Sequence, residues 1–296
     1  MSESKKTALI TGTSSGIGHY LALEFAKRGY FVFACSRKAE SMADICAEYP
    51  GQIFAFSMDV SSLESIKAGY KFVSEKLKDL NIAGLDVVYN NAGSSCTFPG
   101  VDVPDAALVQ CMDTNFIGPV RVVHEFSRLV IAKEGTFAFT GSCSGYCPFP
   151  WGSVYGASKA AIGQYASILA FELEPFNVAV KNFITGGVHT DIADKRPLPA
   201  DSIYNIEPMK HAFEQRQKMS ERNNPMEPSI YAKKAIDAIE YGKKSTVDVY
   251  LGTWSILPHS VAIFPRSVIL YFFRLKFYLT DVWKALAEKH RNKKIA

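Results

Sequence analysis

The chain has no CxxC unit among its six cysteines, and its six histidines form no helical ligand pair and have no clustered acids beside them. The usual metal centres are therefore not expected. An internal repeat, a low-complexity stretch and a Gly/Ser-rich linker are all missing, so one domain is favoured over two. Charge of either sign is in small excess: 33 Lys or Arg stand against 29 Asp or Glu. From Arg266 onward eight basic residues face two acids, so this tail carries +6 and everything before it −2. A body so near neutral lacks the basic footprint of a nucleic-acid binder. Residues Met1 to Lys6 run into the first apolar segment with no signal-peptide pattern, so reduced thiols in a cytosol-facing protein are expected.

What is present is an alternation of short apolar runs with helical patterns. With 48% apolar and 21% charged residues the chain can bury a core. Strands are predicted near Thr7–Thr11, Tyr30–Ser36, Ile53–Asp59, Leu85–Asn91, Thr136–Ser142, Val178–Thr185 and Val247–Leu251. Helical spacing falls at Ile17–Arg28, Leu63–Leu77, Asn115–Ile131 and Tyr155–Glu174. Runs apolar on both faces and separated by helices predict an α/β fold, a doubly wound parallel sheet of about seven strands covered on two sides. Residues 1–252 would form this Rossmann-type unit. Within it Asp194–Pro228, rich in proline, reads as an excursion suited to a lid.

The first strand leads into Thr11-Gly12-Thr13-Ser14-Ser15-Gly16-Ile17-Gly18 and at once into a helix. Gly12 suits a tight turn, Gly16 lets the backbone approach a pyrophosphate, and Gly18 permits close helix–strand packing. The helix N-terminus would supply amide donors. The second strand ends in Cys35-Ser36-Arg37-Lys38, with no acid before Glu40. An acid there would accept from a ribose 2′-hydroxyl, whereas Arg37 and Lys38 suit a 2′-phosphate, so NADPH is expected over NADH. The same loop fits the GxSxG elbow of serine hydrolases, which keeps an acyl hydrolase using Ser14 as an alternative.

Tyr155 and Lys159 stand four apart at the start of an amphipathic helix, which puts phenol and ammonium on one face. A phenol with a pKa of about 10 needs a shift of about 3 units, roughly 4 kcal/mol, to exchange protons near neutrality. A cation about 4 Å away at an effective dielectric near 20 supplies about that much. Lys159 is thus expected to make Tyr155 a usable general acid.

Thr11–Gly18, Asn90-Asn91-Ala92-Gly93, Asn115, Ser142 and Tyr155–Lys159 together, in this order, resemble the short-chain dehydrogenase/reductase family over about Thr7 to Leu251. The resemblance implies that Tyr155 protonates a carbonyl oxygen, Ser142 hydrogen-bonds it, Lys159 holds the nicotinamide ribose and Asn115 positions a water in the proton relay. It implies a cofactor site formed by Gly12, Ser14, Ser15, Gly16, Ile17 and Gly18, by Ser36, Arg37 and Lys38, and by Asp59 and Val60 beside the adenine. Asn91, Ala92, Gly93, Tyr155, Lys159, Gly186, Val188 and Thr190 complete it. The family's Pro-Gly after the sixth strand reads Thr185-Gly186 here.

Asn90–Pro99, Ile184–Val188, Thr190–Pro199, Ser202–Asn205 and Val247–Tyr250 are further similar to the fungal 1-acyldihydroxyacetone-phosphate reductases within that family. This implies NADPH-dependent reduction of an acylated ketone phosphate to 1-acylglycerol 3-phosphate. A retinal- or steroid-type carbonyl reductase is the alternative oxidoreductase, and a non-enzymatic lipid-surface protein lies outside that class. Lys195 or Arg196 would bind the substrate phosphate, against the reading of a solvated basic turn.

Trp254–Phe273 holds one formal charge, Arg266, and Pro258 and Pro265; Arg274, Lys276 and the basic cluster Lys289–Lys294 follow. Residues 253–296 are therefore expected to be an apolar and basic membrane-associating segment on an anionic membrane face. The prolines, His259 and Arg266 make a span costly. A lid or a homodimer contact is the other reading. The fungal resemblance implies the endoplasmic reticulum membrane and the lipid-droplet surface, on the cytosolic side.

Overall fold

Successive residues of a strand point to opposite faces, and in this chain both faces are apolar. In the first strand, Thr7–Thr11 (β1), Leu9 enters one core while Ala8 and Ile10 enter the other. The computed structural model describes residues 5–257 and 263–295. The further strands are Phe31–Ser36 (β2), Ile53–Ser57 (β3), Val87–Asn90 (β4), Thr136–Thr140 (β5), Ala179–Thr185 (β6) and Asp248–Leu251 (β7). All seven pair in parallel in the order β3-β2-β1-β4-β5-β6-β7. The order reverses between β1 and β4, so their carboxyl ends open the crevice where such sheets take ligands.

Helices cover both faces. Leu63–Asp79 (α3), Gly118–Ile131 (α5) and Ser153–Leu173 (α6) bury Val73, Phe126 and Ile162 against Phe33, Val88 and Phe137. Gly16–Lys27 (α1), Ala43–Glu48 (α2) and, after the proline-rich segment, Pro228–Glu240 (α9) bury Phe25, Ile45 and Tyr231 on the other face. Asp105–Met112 (α4) runs into α5 through one π-helical turn, Asp113–Ile117. The proline-rich segment 194–228 carries Glu207–Gln217 (α7) and Met219–Arg222 (α8).

The C-terminal expectation is corrected. Its residues form Arg266–Lys276 (α10) and Leu279–Ile295 (α11); Pro258 and His259 lie outside the described residues. No helix among the described residues is long and apolar enough to cross a membrane. Four of the apolar side chains are buried within the molecule, while others, such as Phe264, Tyr271 and Phe272, are exposed. Phe273, Phe277, Leu279 and Val282 form a third cluster with Met209, Ala212 and Phe213 of α7 and with Cys147 and Trp151 of the loop after β5. Phe273 stacks on Phe149 at 5.1 Å between ring centroids. The membrane-associating segment falls with this finding. So do the membrane or lipid-droplet surface as partner and the endoplasmic reticulum and lipid-droplet location.

Candidate active site

At the end of β1 the chain must turn sharply and leave room for a ligand, which explains its glycines. Gly12 and Gly16 have φ of +73° and +57°, in the left-handed region open to glycine. A Cβ at Gly12 would lie 2.8 Å from Ala92 Cα, and one at Gly18 only 2.2 Å from the Gly12 carbonyl oxygen. The amides of Gly12 and Thr13 both donate to Cys35 O, at 2.8 and 3.1 Å, which anchors the turn on β2. Ser15, the N-cap of α1, makes no side-chain cap, so the amides of the first turn keep their donors for a ligand. Ser14 is exposed, and among the described residues neither a histidine nor an acid hydrogen-bonds it. The hydrolase alternative has no base here.

Asn91 ties the strand ends together. Its Nδ2 donates to Thr11 O at 2.9 Å and Gly12 O at 3.1 Å, and its Oδ1 accepts from Thr140 Oγ1 at 3.2 Å. Asn91 thus shapes the crevice more than it faces into it. Thr190 reaches the glycine loop from the other side, its Cγ2 3.2 Å from where a Gly16 Cβ would sit. Gly186 is held against Thr253, where a Cβ would come within 2.1 Å of the carbonyl oxygen. Thr185, which stands where a proline was expected, uses its hydroxyl to bond Tyr231 at 2.7 Å. Arg37 and Lys38 are exposed just past β2 and make no ion pair among the described residues, while Ser36 Oγ accepts from the Lys38 amide at 3.2 Å. Asp59 Oδ1 is occupied by the amide and hydroxyl of Ser61, at 2.9 and 2.7 Å, and Val60 is buried. A cradle that any Cβ would fill, at a topological switch point, with uncapped amides and free cations at its adenine end, fits a dinucleotide phosphorylated at the 2′ position.

The catalytic candidates converge beside this crevice. Ser142 follows β5; its Oγ accepts from the Ser144 amide at 3.1 Å, and it acts to lower the phenol of Tyr155 on α6. Lys159, 4% exposed, donates from Nζ to Thr140 O at 2.8 Å and stands 5.8 Å from the centroid of the Tyr155 ring. Burial pushes the phenol up to about 12, and the strongest opposing influence is Ser142 rather than Lys159. Burial also brings the Lys159 ammonium down to about 8. The expectation that the cation alone sets the phenol is thus revised: the Thr140 carbonyl holds Nζ.

Asn115 sits in the π-helical turn. Its Oδ1 accepts from the Ser94 amide at 2.8 Å, and its Nδ2 donates to Ser94 O at 2.9 Å and Ser158 Oγ at 3.0 Å. Its amide therefore fixes the β4–α4 loop, in a π turn of the kind frequent at functional sites. A Cβ at Gly93 would lie 3.4 Å from Asn115 Oδ1 and 3.7 Å from Lys159 Nζ, which puts all three at one point.

Several residues near this point were not singled out from the sequence. Ser158 and Cys111 join the Asn115 network, and the Cys96 thiol brings Cys111 below its ordinary value. Arg216 of α7 lies beside the loop before α6. Its signal was legible, because it continues the buried stripe Met209, Ala212, Phe213 at helical spacing. Arg196 is paired: Nε donates to Asp194 Oδ1 at 2.8 Å, and a terminal nitrogen to Oδ2 at 2.7 Å. Lys195 is exposed.

Known proteins share the family and the fold. The family model for short chain dehydrogenases matches residues 6–199. The chain is 44% identical over 294 residues to the NADPH-dependent 1-acyldihydroxyacetone phosphate reductase of Saccharomyces cerevisiae, covering 99% of this chain and 98% of the relative. It is 32% identical to the protein of the same name from Schizosaccharomyces pombe, over 80% of this chain and 77% of that one. The crystal structure of a short-chain dehydrogenase from Streptomyces avermitilis superposes with a TM-score of 0.73 at 24% identity, covering 93% of this chain and 98% of the other, a likeness of fold.

Proposed function

The chain belongs to the short-chain dehydrogenase family, and we propose that it reduces the ketone of 1-acyldihydroxyacetone phosphate with NADPH, giving 1-acylglycerol 3-phosphate. The identity of 44% across nearly the full length of both chains carries the choice of substrate. The chemistry rests on the grouping of Ser142, Tyr155 and Lys159 beside the glycine cradle.

When bound, the reduced nicotinamide supplies the hydride to the ketone carbon. Everything else falls to the chain. The Ser142 and Tyr155 hydroxyls together define where the ketone oxygen rests, and Tyr155 gives that oxygen its proton as the carbonyl becomes an alcohol. A phenol held near 12 stays protonated through the neutral range, as an acid for reduction must. Lys159, fixed by Thr140 O, is the cation beside that oxygen and the group through which the phenol is reprotonated. Arg37 and Lys38 hold the 2′-phosphate. Asn115, Asn91 and Gly93 position Lys159, the glycine loop and the crevice wall.

The test is NADPH oxidation by the purified protein with 1-palmitoyl dihydroxyacetone phosphate, retinal and a keto-steroid offered in parallel. Turnover of the phosphorylated ketone at the highest kcat/KM supports the reading. Preference for either neutral carbonyl compound would move the protein to another branch of the family.

A further inference from the structure

A ketone phosphate presents its anion close to the reacting carbon. Three bonds of about 1.5 Å separate phosphorus from the ketone carbon, so the phosphate lies about 4 Å from it. Recognition of this substrate therefore calls for a cation near Tyr155 that no protein acid already neutralises. Four cations can be compared on that criterion. Lys159 is committed to Thr140 O and the relay. Lys181 is buried, but its ammonium caps the carbonyls of Lys243 and Thr246, away from the crevice. Arg196 is held by both oxygens of Asp194 and also donates to Ser95 O.

Arg216 differs from all three. It is 9% exposed and has no acid within ion-pair distance among the described residues. Of its five N–H donors, only Nε–H has a partner among those residues, the Pro150 carbonyl at 3.0 Å. The guanidinium lies 5.7 Å from the Phe149 ring, and one terminal nitrogen comes within 3.2 Å of where a Cβ on Gly152 would be. Tyr155 and Cys143 are the titratable groups that act on its charge, and no carboxylate is among them. Burying an uncompensated charge is costly unless a ligand anion completes it. Burial brings this guanidinium down to about 10, so it remains charged at neutral pH.

We infer that Arg216 is the anion-recognition residue of the substrate site, its two terminal nitrogens taking the phosphate of the acylated ketone in bidentate fashion. This rests on the proposed reduction and deepens it: helix α7 carries both the apolar stripe that docks it on the C-terminal helices and the cation that reads the headgroup. A planar guanidinium suits that role better than an exposed lysine, because its fork matches two phosphate oxygens.

The experiment compares Arg216→Met and Arg216→Lys with the unmodified protein on 1-palmitoyl dihydroxyacetone phosphate and on 1-palmitoyl dihydroxyacetone, which lacks the phosphate. Arg216→Met is expected to raise KM for the phosphorylated ketone by about thirtyfold or more. It should leave kcat/KM for the neutral ketone within about threefold, with Arg216→Lys in between. Equal losses on both ketones would overturn the inference. So would a lower kcat for the neutral ketone with a displaced pH profile, which would mean that Arg216 acts through Tyr155. A second arm is independent of the natural substrate: glycerol 3-phosphate should inhibit neutral-ketone turnover by the unmodified protein and lose that effect in Arg216→Lys and Arg216→Met. Inhibition that persists in both variants would reject the anion site. Failure of the unmodified protein on the phosphorylated ketone, with glycerol 3-phosphate inhibition intact, would instead reject the proposed substrate.

Discussion

Tyr155 and Lys159 titrate in opposite directions from their ordinary values, and both shifts come from burial. Lys159 is charged below about 8 and loses its proton as pH rises through that value, while the phenol stays loaded. The kcat/KM for ketone reduction is therefore expected to be level through the neutral range and to fall above pH about 8. A profile still level at pH 10, measured by NADPH oxidation, would contradict the assignment of Lys159. Tyr155→Phe removes the proton donor and should lower kcat by about 10²–10⁴. Its NADPH affinity, read by fluorescence, should change little. At the adenine end, Arg37→Glu would set a carboxylate against the 2′-phosphate, and the ratio of kcat/KM for NADPH to that for NADH should drop at least about tenfold. These positions were legible because each depends on residue type at a local spacing: a phenol and an ammonium four apart, and a basic pair where an acid would read a ribose. The strength of their coupling was not, since it depends on Thr140 O drawing Nζ to itself.

Among the elements, the turn from β1 into α1 tolerates least. An Ala at Gly18 would push its Cβ to 2.2 Å from Gly12 O and 2.4 Å from Asn91 Nδ2. Gly18→Ala should cost about 1–3 kcal/mol by overpacking, lowering Tm in a melt by several degrees and abolishing NADPH binding. The seven strands lie close to where apolar runs predicted them, because runs apolar on both faces have few other homes. The segment before α5 was harder to read. A helix predicted from Asn115 in fact begins at Asp105, and the π turn Asp113–Ile117 joins its two halves. One extra residue in a turn leaves the apolar spacing on either side intact, so periodicity cannot register it. That turn is nonetheless what brings Asn115 to Ser94 and Ser158.

Across the molecule, α7 and the C-terminal helices share one apolar cluster with the loop after β5. Phe277 is 2% exposed within it and meets Phe149 edge-on at 6.5 Å between centroids. Phe277→Ala should destabilise by about 3–5 kcal/mol, seen as a lower Tm, and should raise KM for the ketone through α7 while NADPH affinity holds. An unchanged KM would uncouple α7 from the C-terminal pair. Residue order and near-neighbour spacing were sufficient to reveal a nucleotide-binding parallel sheet and to single out Tyr155 and Lys159 on one helix, since each of those motifs is complete within a turn or two of chain. They could not tell which cation stands without a counter-charge beside Tyr155, nor that Phe273 and Phe277, among the aromatic residues after Gly252, would be the buried ones. Both outcomes depend on surfaces that meet across long stretches of chain: Phe149 receives Phe273, the Pro150 carbonyl takes Arg216 Nε, and no acid among the described residues reaches Arg216.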